Sequence, residues 1–501
     1  MIQLKKCLVA NRGEIAIRIM RACRELGIQT VAVYTQADFQ DRHAQFADEA
    51  YGMGDGKQPP RQMYLDGRGL IAIAQEAGAD CIHPGYGFLS ENEAFAQQVI
   101  DAGLTWIGPS PDAIRRMGVK TEARALMQAA GVPIVPGFQS ESASIEVFVQ
   151  EAARIGYPIM VKAAGGGGGK GIRVVYEAEA LPEAIESAQR EAQQAFNDPR
   201  VFLERYIETG RHIEIQVLAD SQGNTVHLFE RECSAQRRHQ KIIEESPSPL
   251  LTPAMRDQMG QAAVAAARAV NYVNAGTVEF IATPDGEFYF LEMNTRLQVE
   301  HPVTEAVTGL DLVKLQFRIA AGEALPFTQS DLVQRGHAIE CRLYAEDPRQ
   351  NFMPATGRVI RFTPPQSPGV RVDTGIQSGS EITIYFDPMI AKIIAYDPTR
   401  EGAIVRMEQA LRETILLGPT TNRDFLLTLL AHPTFQAGQV DTRFVDTHLA
   451  ELTPPLPDVP LAALIAAALS ETQTAVSSSS AAAESDVYNP WARSDGFRMG
   501  Q

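Results

Sequence analysis

Residues 277–302 read Thr277-Val-Glu-Phe-Ile-Ala-Thr, then Pro284-Asp-Gly, then Glu287-Phe-Tyr-Phe-Leu-Glu-Met-Asn294-Thr-Arg-Leu-Gln-Val-Glu-His-Pro302. Two β-branched and aromatic runs flank Asp285-Gly286, a two-residue hairpin signal. With those residues as the turn, Pro284 faces Glu287, and counting outward sets Glu279 opposite Glu292. Like charges directly across an antiparallel pair are destabilising, so something positive belongs between them. Period-2 alternation brings Asn294 to the face of Glu292 and adds a third oxygen donor. That set suits Mg²⁺, which takes one or two carboxylates along with substrate phosphates. The hairpin alone fits a solvated edge with two surface glutamates equally well; the rest of the chain decides.

The length of 501 residues suggests about three domains. A hydrophobic content of 45% and a charged content of 21% describe an ordinary globular protein. The net charge of −16 argues against nucleic acid as a partner, so any anion site must be a local basic island. The five cysteines (Cys7, Cys23, Cys81, Cys233, Cys341) are scattered and form no C-x-x-C pair. That usage predicts a reducing compartment without a zinc or disulfide framework. The first residues lead into a strand rather than a signal peptide, and the longest clean apolar run, 461–469, is too short to span a membrane. A cytoplasmic protein without membrane attachment is expected.

The N-terminus reads as strand (5–11), helix (14–26, closed by Gly27) and strand (30–34), a βαβ unit opening an α/β domain. Its turn, Asn11-Arg-Gly-Glu14, lacks the glycines of a dinucleotide fingerprint. A second turn, 80–93, holds Gly85 and Gly87, where a ligand or another backbone can approach, and Ser90 with Glu93 reads as a capping box. Lys120 sits in the first turn of a helix over 119–130, where the dipole prefers anions; a solvated lysine or a phosphate ligand fits there. Strands at 157–162 and 172–176 enclose five consecutive glycines, 165–169, followed by Lys170 and Gly171. Such a run is entropically costly, and its physical use is a mobile hairpin whose N–H groups close over phosphates. It is no Walker A loop, because Lys170 precedes Gly171 and a strand.

A helix (177–196) and strands at 201–207, 212–219 and 225–230 come next. Then comes Arg231-Glu-Cys-Ser-Ala-Gln236-Arg237-Arg238-His239-Gln-Lys241, a basic island just upstream of the acidic hairpin. That position favours an anion site over a solvated charge run. From 335 the texture is β-rich, with strands near 337–342, 357–363 and 382–385 and a helix near 400–414. Beyond 452 the chain is Pro-rich and then low in complexity, which reads as a linker.

Lys162 with the glycine run, residues 204–207, Arg237-Arg-His-Gln-Lys241 and Glu292-Met-Asn-Thr-Arg-Leu-Gln-Val-Glu-His-Pro302 together resemble the ATP-grasp biotin carboxylases, over roughly 1–452. The resemblance implies an α/β and α+β multidomain fold. A Rossmann-like domain would span 1–118, an ATP-grasp domain 119–334 with a glycine-rich lid at about 134–205, a β-rich C-terminal domain 335–450, and a linker and tail 451–501. It implies that Lys120 and Lys162 bind ATP phosphates with the N–H groups of Gly168 and Gly169, and that Glu204, Arg205 and the backbone at Ile207 meet the adenine. His212, Gln236 and His239 would complete the nucleotide site, and Glu279, Glu292 and Asn294 would hold Mg²⁺ or Mn²⁺.

The implied chemistry is phosphorylation of bicarbonate by ATP to carboxyphosphate, then transfer of CO₂ to N1′ of biotin. Lys241, Arg296, Gln298 and the Val299 backbone would hold bicarbonate, Glu300 would deprotonate it, and Arg342, from a separate domain, would stabilise the biotin enolate. No Ala-Met-Lys-Met type biotinylation site occurs, so biotin is expected on a carrier domain outside these residues, with a carboxyltransferase subunit as a further partner in a homo- or hetero-oligomeric complex. The ending Asn489-Pro-Trp-Ala-Arg-Ser-Asp-Gly-Phe-Arg-Met points to an acyl-CoA carboxylase α subunit of methylcrotonoyl- or propionyl-CoA type. The competing readings are another ATP-grasp ligase, such as a carbamoyl-phosphate type, and a silent ATP-binding scaffold.

Overall fold

Five short parallel strands open the structure, ordered in space Glu49–Gly52, Gln29–Tyr34, Lys6–Val9, Cys81–His83, Thr105–Trp106. The helix Gly13–Leu26 covers them and ends where Gly27, at φ 73°, donates its N–H back to Arg24 and Cys23. The order reverses direction between Lys6–Val9 and Cys81–His83, so the loops that leave these two strands meet in the crevice where such sheets bind partners. Here the Asn11 amide donates to the carbonyls of Pro84 (2.7 Å) and Tyr86 (2.8 Å). Gly85, at φ 65°, leaves room for it: a Cβ there would stand 2.9 Å from Asn11 Nδ2. The close approach read from this glycine is therefore made by a side chain. The next helix starts at Glu93 under an Asn92 cap, whose Oδ1 accepts from Phe95 N (2.8 Å), while Ser90 is buried and its hydroxyl has no partner among the described residues. The Ser90–Glu93 capping box is thus displaced by an asparagine that adjoins the first helical residue.

The computed structural model describes residues 2–54, 56–140, 144–164, 172–238, 240–455 and 459–479, with the backbone alone over 471–479. Residues 1–452 form one compact unit and 453–501 another. In the second, Leu461–Ser479 is helical where a linker was expected; its alanines and leucines are strong helix formers. Among the described residues no helix is long and apolar enough to cross a membrane.

The centre of the first unit is an eight-stranded sheet ordered Phe288–Asn294, Asn274–Ala282, Arg211–Ala219, Thr225–Arg237, Gln240–Ser246, His337–Tyr344, Met389–Asp397, Val370–Thr374. It runs through the boundary expected at 334/335, since Gln240–Ser246 pairs with His337–Tyr344. The strand expected to stop at 230 continues to Arg237, so most of the basic island is strand and turns back at Arg238 (φ 48°). Arg211–Ala219 and Asn274–Ala282 are buried along their whole length. Period-2 alternation sorts them: Ile213, Ile215, Val217, Val278 and Phe280 pack with Met255, Met259 and Ala263 of the helix Pro253–Ala269. His212, Glu214, Gln216, Thr277 and Glu279 take the opposite face, so that face is buried and polar.

The hairpin differs from its sequence reading at the turn. Thr283 N donates to Glu287 O (2.8 Å), so the loop has three residues, Pro284, Asp285 and Gly286, with Gly286 at φ 87°. This shifts the register by one through Ala282, Ile281 and Phe280, which face Phe288, Tyr289 and Phe290. A bulge at Leu291 takes up the extra residue, and Glu279 then faces Glu292 and Thr277 faces Asn294. The facing carboxylates stand where the sequence put them, through two departures that cancel.

A four-stranded sheet, ordered Gly137–Gln139, Val201–Arg205, Ile159–Ala163, Arg173–Val175, carries the segment around the glycine run. The two strands read at 157–162 and 172–176 pair antiparallel, Ile159 with Val175 and Val161 with Arg173; residues 165–171 lie outside the described residues.

The strand Val370–Thr374 runs into Gly375, which meets the start of the helix Gly13–Leu26: a Cβ there would stand 2.6 Å from the Gly13 backbone. Backbone cannot step aside as a side chain can. Gly375→Ala is therefore expected to destabilise the protein by roughly 1–3 kcal/mol, read from the urea midpoint at unchanged m; an unshifted midpoint would show that this seam is loose.

Candidate active site

The polar face of the central sheet carries one row of ionisable groups in direct cross-strand register: Glu292 opposite Glu279, Glu279 opposite Glu214, Glu214 opposite Arg231. Three carboxylates side by side repel, and the row is neutralised from one end only. Arg231 Nε donates to Glu214 Oε1. Lys241 Nζ reaches over the row to Glu214 Oε2 (2.5 Å), Glu279 Oε1 (2.9 Å) and Glu300 Oε1 (2.6 Å). Glu279 also accepts from His212 Nε2 (3.0 Å), Asn294 Nδ2 (2.8 Å) and Gln298 Nε2 (2.8 Å). Burial alone would raise its pKa, but Lys241 and His212 outweigh it and hold the carboxyl well below the usual range. His212 in turn stays protonated more readily than an ordinary histidine, because Glu279 outweighs the effect of burial.

Glu292 is the open end. Among the described residues its carboxylate has no hydrogen-bond or ion-pair partner. It is exposed to solvent, yet partial desolvation and the charge of Glu279 push its pKa upward against the pull of Lys120. The donor set therefore fits a hard divalent cation at Glu292 with Glu279 behind it. His212, Glu214 and Glu279 also bring ligand atoms within 4.8 Å of one another, but Lys241 already bridges those two carboxylates. Asn294 lies on the expected face but turns its Nδ2 to Glu279 and its Oδ1 to Arg296 (3.0 Å), since a carboxylate attracts the donor end of an amide.

Residues 294–300 fold back over this row. Arg296 is held by Glu91 (2.9 Å) from the 80–93 turn. Gln298 accepts from Arg231 (2.9 Å) through Oε1 and donates to Glu279 through Nε2. Glu300 is 2% exposed and clamped between Lys241 and Arg342, whose Nη2 donates to Oε2 at 2.9 Å. These two cations overcome burial and keep Glu300 well below the ordinary carboxylate pKa. Arg342 was expected to act apart from this loop; in fact the continuous sheet places it against Glu300 and Glu244 (2.5 Å). The Val299 N–H has no partner among the described residues, while its carbonyl accepts from Lys392 Nζ (2.7 Å).

A second group gathers on the four-stranded sheet. Lys162 Nζ donates to Glu204 Oε2 (2.5 Å), and Arg124 Nη1 to Glu204 Oε1 (2.7 Å). Both oxygens of Glu204 are thus occupied by cations, and its carboxylate positions Lys162 rather than standing free for an adenine edge. Arg205 lies 3.6 Å from Glu287, and Ile207 packs near Gly210. Gln236 Nε2 lies 3.4 Å from His212 Nδ1. Lys120 is half-buried at the first turn of its helix. Gly168, Gly169 and His239 lie outside the described residues.

Sequence reasoning missed Glu214, Arg231, Glu244, Lys392, Arg124 and Glu91. Glu214 was legible, being two residues from His212 on an alternating strand; Arg231 was hidden in the basic run, and the others depend on tertiary folding.

Three family models tile the chain: "Biotin carboxylase, N-terminal domain" over 3–114, "Carbamoyl-phosphate synthase L chain, ATP binding domain" over 119–328 and "Biotin carboxylase C-terminal domain" over 340–447. Biotin carboxylase 1 of Bacillus subtilis is 52% identical over 446 residues, covering 89% of this chain and 99% of its own. The methylcrotonoyl-CoA carboxylase subunit alpha (mitochondrial) of Rattus norvegicus is 49% identical over 452 residues, 90% of this chain; the chain spans 63% of that relative's length. The biotin carboxylase domain dimer of Hydrogenobacter thermophilus 2-oxoglutarate carboxylase, solved with MgADP, ADP and bicarbonate, superposes with a TM-score of 0.86 at 46% identity, over 91% of this chain and 100% of that one. The chain belongs to the biotin carboxylase family of ATP-grasp ligases.

Lys241 alone compensates parts of three buried carboxylates, and removing one partner of a buried pair is expected to cost roughly 3–5 kcal/mol. In the native protein, Glu279 and Glu300, with pKa values below their unfolded ones, add stability above the unfolded pKa that is lost as pH falls through the folded one. In Lys241→Met both carboxyls lose that cation and their pKa values rise, so this contribution to stability shrinks. The gap between the two proteins in denaturant midpoint should therefore narrow as pH falls through the carboxylate range; a pH-independent gap would mean that Lys241 contributes packing and not charge.

Proposed function

We propose that the chain uses ATP and bicarbonate to carboxylate biotin presented on a separate carrier domain. The reading is carried by Glu300, ionised between Lys241 and Arg342 and next to the Val299 N–H, which has no partner among the described residues. Bicarbonate is a small anion with one acidic O–H, and it needs cations, an N–H donor and a base at one point. Lys241, Arg296, Gln298 and the Val299 N–H supply the first two, and Glu300 takes the proton. Lysine and arginine pairing makes Glu300 a weak base on its own; an anion bound beside it raises its proton affinity, since like charges disfavour a second ionised group. The freed bicarbonate oxygen then attacks the γ-phosphorus of ATP and ADP leaves; the carboxyphosphate so formed breaks into CO₂ and phosphate, the phosphate takes the N1′ proton of biotin, and N1′ adds to the carbon of CO₂.

Lys120, Lys162 and the glycines of 165–171 bind the phosphates in this reading. His212 and Gln236, with His239, bound the nucleotide on the side of Glu279. Glu292 and Glu279, with Asn294, hold Mg²⁺ or Mn²⁺, which when bound offsets charge on the transferred phosphoryl group. Glu204 keeps Lys162 extended, and Arg205 and Ile207 stand at the adenine end. Arg342 stabilises the ureido oxygen as biotin becomes nucleophilic; bound to Glu300 as it is, it serves both halves of the reaction. The ranges 1–118, 119–334 and 335–450 are proposed as the functional segments, with 451–501 as linker and tail. The acyl acceptor proposed is methylcrotonoyl- or propionyl-CoA, on the tail sequence 489–499 and the likeness to the rat α subunit, with a carboxyltransferase subunit as partner. The cytoplasm is the proposed compartment, on the five buried unbonded cysteines.

The test is ATP turnover with and without bicarbonate and free biotin, beside transfer of labelled bicarbonate carbon to biotin. Bicarbonate-dependent ATP hydrolysis and label transfer are expected, and Glu300→Gln should lower both by roughly 100-fold or more, the usual worth of a general base. Glu292→Gln should raise the Mg²⁺ concentration needed for half-maximal rate. ATP turnover indifferent to bicarbonate would overturn the reading.

A further inference from the structure

We infer that Lys392 is a positioning residue for the bicarbonate site, acting through the Val299 carbonyl; the inference rests on the bicarbonate reading above. Lys392 lies on Met389–Asp397 and is fully buried, yet its Nζ donates to Val299 O at 2.7 Å. Residues 298–300 belong to neither strand nor helix, so no backbone ladder fixes them before the helix His301–Thr308 begins. Each of their acceptors is tied down individually. Gln298 O accepts from His301 N (3.4 Å) and His301 Nδ1 (2.7 Å), the Gln298 amide oxygen from Arg231, and the Glu300 carboxylate from Lys241 and Arg342. Among the described residues Val299 O is tied by Lys392 alone. Without that bond the Val299–Glu300 peptide loses its carbonyl anchor, which loosens the backbone between the Val299 N–H and the clamped Glu300 side chain.

A buried ammonium is costly unless it is paired, and the chain supplies partners from two distant segments. Asp373 faces Lys392 across the adjoining strand. Glu14 Oε1 stands 3.3 Å from Nζ and also accepts from the Tyr86 hydroxyl. Glu14 arrives there from the turn Asn11-Arg-Gly-Glu14, whose Gly13 lies directly against Gly375. The turn that carries no dinucleotide signature thus delivers the counter-charge for a lysine beneath the catalytic loop. A neutral donor would also satisfy the carbonyl; the ammonium adds positive potential under a peptide that must receive an anion.

Lys392→Met leaves Glu14 buried without its cation, so the test uses Lys392→Met/Glu14→Gln, with Glu14→Gln as its reference. Bicarbonate-dependent ATP hydrolysis is measured as KM for bicarbonate and KM for ATP separately. The bicarbonate KM should rise about tenfold or more over Glu14→Gln, the scale of a slight misplacement of binding groups, while the ATP KM moves less than about twofold. Lys392→Gln/Glu14→Gln, which returns an N–H donor without the charge, should recover part of the bicarbonate KM. An unchanged bicarbonate KM in the folded methionine variant, or a parallel rise in both KM values, overturns the inference. If the methionine variant does not fold, the glutamine variant decides: a bicarbonate KM raised at constant ATP KM supports the clamp, and values equal to Glu14→Gln overturn it. Loss of bicarbonate dependence in the unaltered protein would instead sink the bicarbonate reading itself.

Discussion

Arg231 is the charge on which the polar face of the sheet depends. It is fully buried, and its five N–H donors meet five acceptors: Glu214, Gln216 (2.8 Å), Thr304 (2.9 Å), Thr277 (3.1 Å) and Gln298 (2.9 Å). A guanidinium taken out of water is stabilising only when the geometry is this complete. The five acceptors come from four separate segments, so satisfying one residue fixes the strand Arg211–Ala219, the strand Asn274–Ala282, the loop at 298 and the helix at 301–308 against one another. Gln298 feels the local effect of this. With its oxygen claimed by Arg231, its Nε2 must point at Glu279, and the amide has one orientation.

The same economy of placement links the two halves of the proposed chemistry. Glu300 shares one oxygen with Lys241, from the strand after the basic turn, and the other with Arg342, from a strand beyond residue 335. Arg342 also leans on Glu244, whose pKa burial pushes up to about 7. A side chain assigned to biotin and a base assigned to bicarbonate are therefore one ion pair, and a change at either is felt by the other. Sequence placed them in separate domains because a sheet continuous across 334/335 leaves no trace in local pattern.

Legibility tracked the range of the interaction. The βαβ opening, the Gly27 cap, the paired strands around the glycine run and the alternation along 212–219 are set by neighbours in sequence, and they were readable. The facing of Glu279 and Glu292 was readable because a hairpin register is local, although the turn itself was one residue longer than the Asp-Gly signal suggested. The Ser90 cap failed because two asparagine- or serine-type caps competed within three residues, and only proximity to Glu93 chose between them. The ion pair of Glu204 with Arg124 was not readable, because Arg124, eighty residues earlier, gives no sign of its aim. Lys392 could not be found at all: it lies in an apolar strand, and its partners Val299, Glu14 and Asp373 meet only in the folded chain.

The bulge at Leu291 does more than repair a register. It places an independent slack point between the hairpin tip and the carboxylate row, so strand pairing on the tip side and on the row side are separately set. A two-residue tip with an unbulged strand and a three-residue tip with a bulged one are interchangeable solutions that leave Glu279 across from Glu292. Length variation at the tip can thus drift without reaching the chemistry, provided the strand absorbs the same residue before Glu292. The tip is a place where insertion is tolerated, and the five residues from Glu292 to Arg296 are where it is not.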